Sequence, residues 1–346
     1  MTIKVSYPGR VCLLGEHCDW GGGSSLAVPL AQGICVTAEA APEGLAAFSS
    51  MEGLLLQGRW DIQGSADQGG GHLRFVPAAV VALRARQIVV PPVRLTITSD
   101  LPPGRGFSSS AAFCLSVLDA LAQHAGCRLD RISLAGLATH VERDLLGVPC
   151  GQLDPLACAA GTPLLLRWAP EGSVSIEPIE PAKTLYLVVG SLAAPRDTSS
   201  ILHTLQDHYY NKEPFRHDLK AVSEVRHALT TFGVEAEKGA MAMKNGDLTA
   251  LGMSMNHCQD AYDRMAAHVP ALRAPLLQQA VDGLRKCGAL GAKFSGAGGD
   301  GSVIGLHGDQ AKAEHAQAWL SRMSGVTAWI RAIQTPGMSS VTRSPH

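Results

Sequence analysis

The sequence lacks charge of either sign in excess: 29 Lys and Arg stand against 30 Asp and Glu in 346 residues. A net charge near zero offers no global attraction to nucleic acid or to an acidic membrane, so any anion site must be local. No apolar run approaches the roughly 18 residues that span a bilayer. The nine cysteines, at 12, 18, 35, 114, 127, 150, 158, 258 and 287, are odd in number and include no C-x-x-C pair. That argues against a disulfide framework and against a zinc site, and reduced thiols in a cytoplasm are the simplest account. The N-terminus, Met1-Thr2-Ile3-Lys4-Val5, lacks the layout of a signal peptide, so a soluble cytoplasmic protein is the expectation. Repeats, low-complexity tracts and long charge runs are also missing. So are the two common nucleotide signatures, G-x-x-x-x-G-K-[ST] and a G-x-G-x-x-G between strand and helix.

What remains is hydrophobic and glycine-rich. Apolar residues make up 46% and charged residues 17%, so a sizeable core is expected, in one large domain or two. Three glycine-rich loops are spread along the chain, at 15–23, 104–110 and 296–301. The second lies in Pro102-Pro103-Gly104-Arg105-Gly106-Phe107-Ser108-Ser109-Ser110-Ala111-Ala112. Val93, Leu95 and Ile97 alternate with polar residues before it, which predicts a half-buried strand. From Ser110 onward, Ala111, Cys114, Leu115, Leu118, Leu121 and Ala122 keep helical spacing. Glycines and serines at a strand-to-helix junction suit an anion: the backbone can approach it closely, and the free N–H groups of a first helical turn point at it. An ordinary capped turn has the same composition.

The other polar positions are individually weak. Glu16, His17 and Asp19, ahead of Gly21-Gly22-Gly23, offer acceptors and a donor for hydroxyl groups, but a solvated turn looks alike. A helix is predicted over about 132–146, with Asp130 as its N-cap, and Glu142 beside the apolar stripe has the solvated helix face as its ordinary reading. Asp154 precedes Pro155 in a Gly- and Pro-bounded loop, as in many turns. A turn-rich stretch at 168–181 is a candidate domain boundary. A mostly helical region is predicted over 218–268, broken at Gly233 and at Asn245-Gly246-Asp247, and the last ten residues are expected to fray.

Taken in order, the loops resemble the motifs of the GHMP family of small-molecule kinases, over about residues 8–305. The first family motif matches Pro8-Gly9-Arg10 through Gly15-Glu16-His17 to Pro29, the second Pro103–Ala112, the third Gly291–Ser302. Within the family the chain is most similar to galactokinase and related sugar-1-kinases, through Gly15-Glu16-His17-Cys18-Asp19-Trp20 and Cys150-Gly151-Gln152-Leu153-Asp154. Glu142 and Asp154 keep the sugar-kinase spacing, one residue longer than in mevalonate kinases. Cys12 and Cys18 stand where Asn and Thr are usual, Trp20 where Tyr is usual and Arg273 where Asp is favoured. Pro195-Arg196-Asp197-Thr198 is closer to mevalonate and heptose kinases.

The resemblance implies an α+β, two-domain GHMP kinase fold, with residues 1–180 and 181–346 as its domains and the active site between them. It implies ATP and Mg²⁺ as cofactors and a monosaccharide as substrate, with no nucleic-acid or membrane partner and a monomer or homodimer. Gly104, Gly106, Ser108, Ser109, Ser110 and Ala111 would bind the ATP phosphates. Ser110 and Glu142 would hold the metal. Asp154 would orient the hydroxyl and take its proton, with the fixed charge of Arg10 near it and the γ-phosphate. Glu16, His17, Asp19 and Gly151 would bind the sugar. Two other readings stay open at this point: a mevalonate-type or other small-alcohol kinase, and a non-catalytic sensor of sugar and ATP.

Overall fold

The structure, a computed structural model, describes residues 2–51, 54–66, 70–101, 106–169, 171–193 and 198–334. Gly104 and its neighbours at 102, 103 and 105, the 194–197 part of the Pro195 loop, and the tail from 335 lie outside the described residues. In chain order the elements are β1 (Thr2–Leu14), the single turn α1 (Cys18–Gly21), β2 (Gly23–Ala40), β3 (Leu45–Met51), β4 (Leu54–Trp60), α2 (Phe75–Ala85), β5 (Val93–Ser99), α3 (Ser109–His124), α4 (Arg131–Thr139), α5 (Leu153–Ala160), β6 (Leu164–Trp168), β7 (Val174–Pro178), β8 (Leu185–Leu192), α6 (Thr198–Tyr209), α7 (Leu219–Asn245), α8 (Leu248–His268), α9 (Pro275–Lys286), β9 (Gly291–Phe294), β10 (Ser302–His307), α10 (Gln310–Leu320) and β11 (Val326–Ile333). None of the described helices is long and apolar enough to cross a membrane.

The chain divides into two compact units. One takes the chain up to Val11 together with Ala27–Thr162; the other takes Cys12–Leu26 and the described residues from Pro163 onward. This grouping and the expected boundary near 180 differ chiefly in where 12–26 and 163–180 go.

In the first unit the strands run β4-β3-β5-β2, with β1 paired to β2. β5 alternates as its sequence predicts: Val93, Leu95 and Ile97 are buried, while Arg94, Thr96 and Thr98 are exposed. β5 pairs parallel with β3 and antiparallel with β2. Helix α3 differs from its predicted one-sided stripe, because every residue from Ala111 to Ala122 is buried. The reason is packing: α2, α4 and α5 all lie against it, so it is a central helix with no solvent face. Asp130 caps α4 as predicted, accepting from the N–H groups of Ile132 and Ser133. After Thr139 the helix widens into a π-helical turn, His140–Leu145.

In the second unit, β11-β8-β10-β9 form an antiparallel sheet. The long helices α7 and α8 pack on one another, and α8 packs on β9. The predicted break at Asn245-Gly246-Asp247 is present, with Gly246 at φ 68° closing α7 and Asp247 capping α8. The predicted break at Gly233 is a correction: α7 runs straight through it. That glycine is there for clearance, since a Cβ would come 3.2 Å from Ser24 N and 3.3 Å from Gly23 Cα. Segment 12–26 is bound into the unit by polar contacts as well. Ser295 Oγ accepts from Cys12 N–H (3.0 Å) and donates to Cys12 C=O (3.1 Å). Ser24 Oγ donates to Glu237 (2.6 Å), which Arg167 grips through two nitrogens.

Candidate active site

Four non-glycine residues in the described chain have positive φ: His17, Gln87, Ser108 and Asn211. Two of them sit in loops that the sequence marks for ligand chemistry. Such conformations persist where surroundings over-determine them, and they gather at ligand sites.

In the first unit, Ser108 (φ 57°) is the residue before α3 and makes no side-chain cap to it. Its Oγ is buried with no hydrogen-bond partner among the described residues. A buried hydroxyl at the mouth of a 16-residue helix is suited to an anion that the helix dipole also favours. Gly106 C=O accepts from Arg10 Nη1 at 2.8 Å, which ties the loop to β1. Ser109, Ser110 and Ala111 form the first turn of α3, with Ser110 exposed and Ala111 buried.

The same guanidinium grips Asp154. Arg10 Nε lies 2.8 Å from Asp154 Oδ1, and Nη2 bonds the same oxygen. Arg10 is 4% exposed, whereas the Asp154 side chain keeps about a third of its surface (35%). Arg10 is therefore a fixed, desolvated charge that orients a carboxylate still open to a reactant. Asp154 sits in the first turn of α5, and Gly151 lies in the bend before that helix.

Glu142 overturns its ordinary reading. It is 2% exposed, on the π-helical turn. Burial pushes its carboxyl up to about 7, against a hydrogen bond donated by the Ser110 hydroxyl. The charge of Asp154 pushes the same way, and Arg74 opposes it. A carboxylate that burial forces toward its neutral form is a strong candidate for a cation ligand. Mg²⁺ fits this donor set, because it takes few protein oxygens and completes its shell with phosphate and water.

In the second unit, Glu16 and His17 are 1% and 5% exposed, so they do not sit on a solvated turn. Glu16 Oε1 bonds Lys293 Nζ, and Lys293 is fully buried. Lys293 also donates to Phe294 C=O (2.6 Å) and lies 4.3 Å from the Phe294 ring centroid. Gly15 makes this turn possible: φ is 86°, and a Cβ would stand 2.1 Å from Ser24 O. Lys293, inside the third family motif, carries no signal of its own in the sequence, because its partner lies 277 residues away. Arg74, whose charge acts on Glu142, likewise carries no signal of its own in the sequence. The glycines of the third loop give clearance to a side chain of their own unit. Gly299 N–H donates to Tyr262 Oη (2.8 Å), and a Cβ on Gly298 would meet that ring at 2.8 Å.

The Lys293–Glu16 pair predicts a large stability effect. Lys293→Met strands a buried carboxylate and is expected to destabilise by about 3–5 kcal/mol, with a smaller loss in Lys293→Met/Glu16→Gln. Urea unfolding of the two variants measures the difference; equal losses would count against the pairing.

The chain matches models of a known family. The GHMP kinases N terminal domain matches residues 74–162, and the GHMP kinases C terminal matches 240–324. The chain belongs to the GHMP kinases. A galactokinase galactose-binding signature matches residues 4–40 of this GHMP kinase. The galactokinase of Mycobacterium tuberculosis is 29% identical over 330 residues, covering 88% of this chain and 89% of that protein. That of Thermotoga neapolitana is 25% identical over 337 residues, with the same coverage. In fold, Lactococcus lactis galactokinase complexed with galactose superposes with a TM-score of 0.78 at 19% identity, covering 96% of this chain and 93% of that one. L. major mevalonate kinase in complex with R-mevalonate gives 0.74 at 20%, with 97% of each chain covered.

Proposed function

We propose that this GHMP kinase transfers the γ-phosphoryl group of ATP to the anomeric hydroxyl of a monosaccharide, galactose being the first candidate. The observation that carries the reading is the Arg10–Asp154 pair: a buried guanidinium holding one oxygen of an accessible carboxylate, bonded at the same time to the loop before α3. Phosphoryl transfer needs a positioned hydroxyl, charge neutralisation and little covalent help from the protein. Asp154 orients the hydroxyl and takes its proton. Arg10 supplies a fixed positive charge where the transferring group develops negative charge. Backbone N–H groups at the start of α3, from Ser109 onward, and the Ser108 hydroxyl hold phosphate oxygens. Ser110 and Glu142 would hold Mg²⁺, which would supply positive charge to offset that of the phosphate oxygens. Glu16, His17, Asp19 and the Gly151 backbone bind sugar hydroxyls; a misplaced hydroxyl leaves such groups unpaired, which discriminates strongly between epimers.

The deciding experiment supplies ATP, Mg²⁺ and a panel of galactose, other hexoses, mevalonate and homoserine. ADP release is followed, and the phosphorylated position is read by phosphorus NMR. Expected is turnover on a hexose with a 1-phosphate product. Turnover confined to mevalonate or homoserine would overturn the sugar reading, and binding without ADP release would favour a sensor.

A further inference from the structure

The 16–23 segment is held from outside by two tyrosines that the sequence does not mark. At the end of α6, Tyr209 Oη donates to Gly21 C=O (2.6 Å), and Tyr210 Oη, next in the chain, donates to Trp20 C=O (2.8 Å). The rings continue the contact. Trp20 meets Tyr209 edge-on at 5.6 Å, lies 6.5 Å from Tyr210, and is 5.5 Å from the His17 ring. Packing beneath the segment is uneven: a Cβ on Gly21 would stand 2.3 Å from Leu229 Cδ2. Gly21 to Ser24 border a cavity of about 460 Å³, and a Cβ on Gly22 would meet nothing within 4 Å among the described residues. His17 is meanwhile in the left-handed region (φ 68°), a strained state for an L side chain. A short turn of four residues cannot enforce that by itself.

We propose that Tyr209 and Tyr210 are positioning residues that hold Trp20 and Gly21, and through Trp20 keep His17 in its binding conformation. The inference rests on the reading of 16–23 as the sugar-binding segment. The two phenol groups act on backbone carbonyls, so they fix the path of the segment whatever side chains it carries. The aromatic contacts pass that constraint from α6 to His17. Helix α6 becomes part of the sugar specificity of the enzyme without touching the reacting atoms.

The test is Tyr209→Phe, Tyr210→Phe and the double variant, which keep the rings and delete only the two hydroxyls. Tyr210 is half exposed, so its variant is expected to fold normally. Each loss of a carbonyl hydrogen bond is expected to raise the sugar KM by up to about tenfold. The ATP KM should stay unchanged. Hydrogen exchange of the amides at 18–23 in the ligand-free protein should quicken in parallel. A general structural defect would instead lower the melting temperature and move both KM values. Unchanged exchange at 18–23, or faster exchange with an unchanged sugar KM, overturns the proposal. If the parent enzyme phosphorylates no sugar at all, the functional reading fails, and the exchange measurement alone decides whether the tyrosines hold the segment.

Discussion

Asp154→Asn is expected to lower kcat by about 10²–10⁴-fold while nucleotide affinity stays within a factor of about two. Both Arg10 bonds go to Oδ1, so the guanidinium fixes the carboxylate and leaves Oδ2 outside its grip. Asparagine keeps the shape of the side chain but is a poor proton acceptor. Against Arg10 it must also present its amide oxygen, and its NH₂ then points where a hydroxyl proton should arrive. The groups at 106–111 that we propose bind phosphate lie on a different segment and keep their geometry. Single-turnover kinetics and calorimetric titration with a non-hydrolysable ATP analogue separate the two effects. Turnover within tenfold of the parent would remove Asp154 from the chemistry.

Glu142→Gln is expected to act in opposite directions on activity and on stability. Burial raises the Glu142 carboxyl from 4.5 to about 7. A carboxyl raised on folding imposes no penalty below its unfolded value. Stability is then lost as pH climbs from about 4.5 to 7 and stays lost above, by roughly 3 kcal/mol when about 1.4 kcal/mol is taken per unit. Glutamine does not titrate, so the variant should lack this slope. In chelator, urea unfolding at pH 5 and pH 8 should show the variant gaining on the parent by up to about 3 kcal/mol at the higher pH. Magnesium nucleotide should recover stability in the parent but less in the variant, and the Mg²⁺ needed for half-maximal turnover should rise at least about tenfold. Parallel pH profiles for the two proteins would show that Glu142 carries no buried charge.

Local structure is legible in the sequence, and long-range pairing is not. β5, the cap at Asp130 and the junction before α3 follow from alternation, capping chemistry and glycine–serine composition, all signals contained in a few neighbouring residues. Gly233 was misread because its cause is Gly23 and Ser24, 210 and 209 positions away, and not its own helix. Glu142 looked solvated because periodicity places it at the edge of an apolar stripe. The π-helical turn at 140–145 changes the spacing there and turns it inward. Among the proposed site residues, the Arg10–Asp154 pairing has no local trace at all. Only the family resemblance anticipated it, and Lys293, Arg74 and the two tyrosines went unmarked for want of any comparable cue.

The stitching of residues 12–26 into the second unit also bears on how the chain emerges from a ribosome. Glu16 is made early, yet the lysine that neutralises it follows 277 residues later. At ordinary synthesis rates that is a wait of roughly 15–55 s. During this interval the Glu16 carboxylate of the segment lacks its cation, although Tyr209, Tyr210 and Glu237, which bond Gly21, Trp20 and Ser24, are made earlier. The first unit meanwhile has a gap in its sequence where that segment leaves and returns. The second unit is therefore complete only when residues 12–26 and its C-terminal half have both been made. Residues 12–26 thus reach their final place among the last steps of folding, with residues made roughly 150–280 positions later.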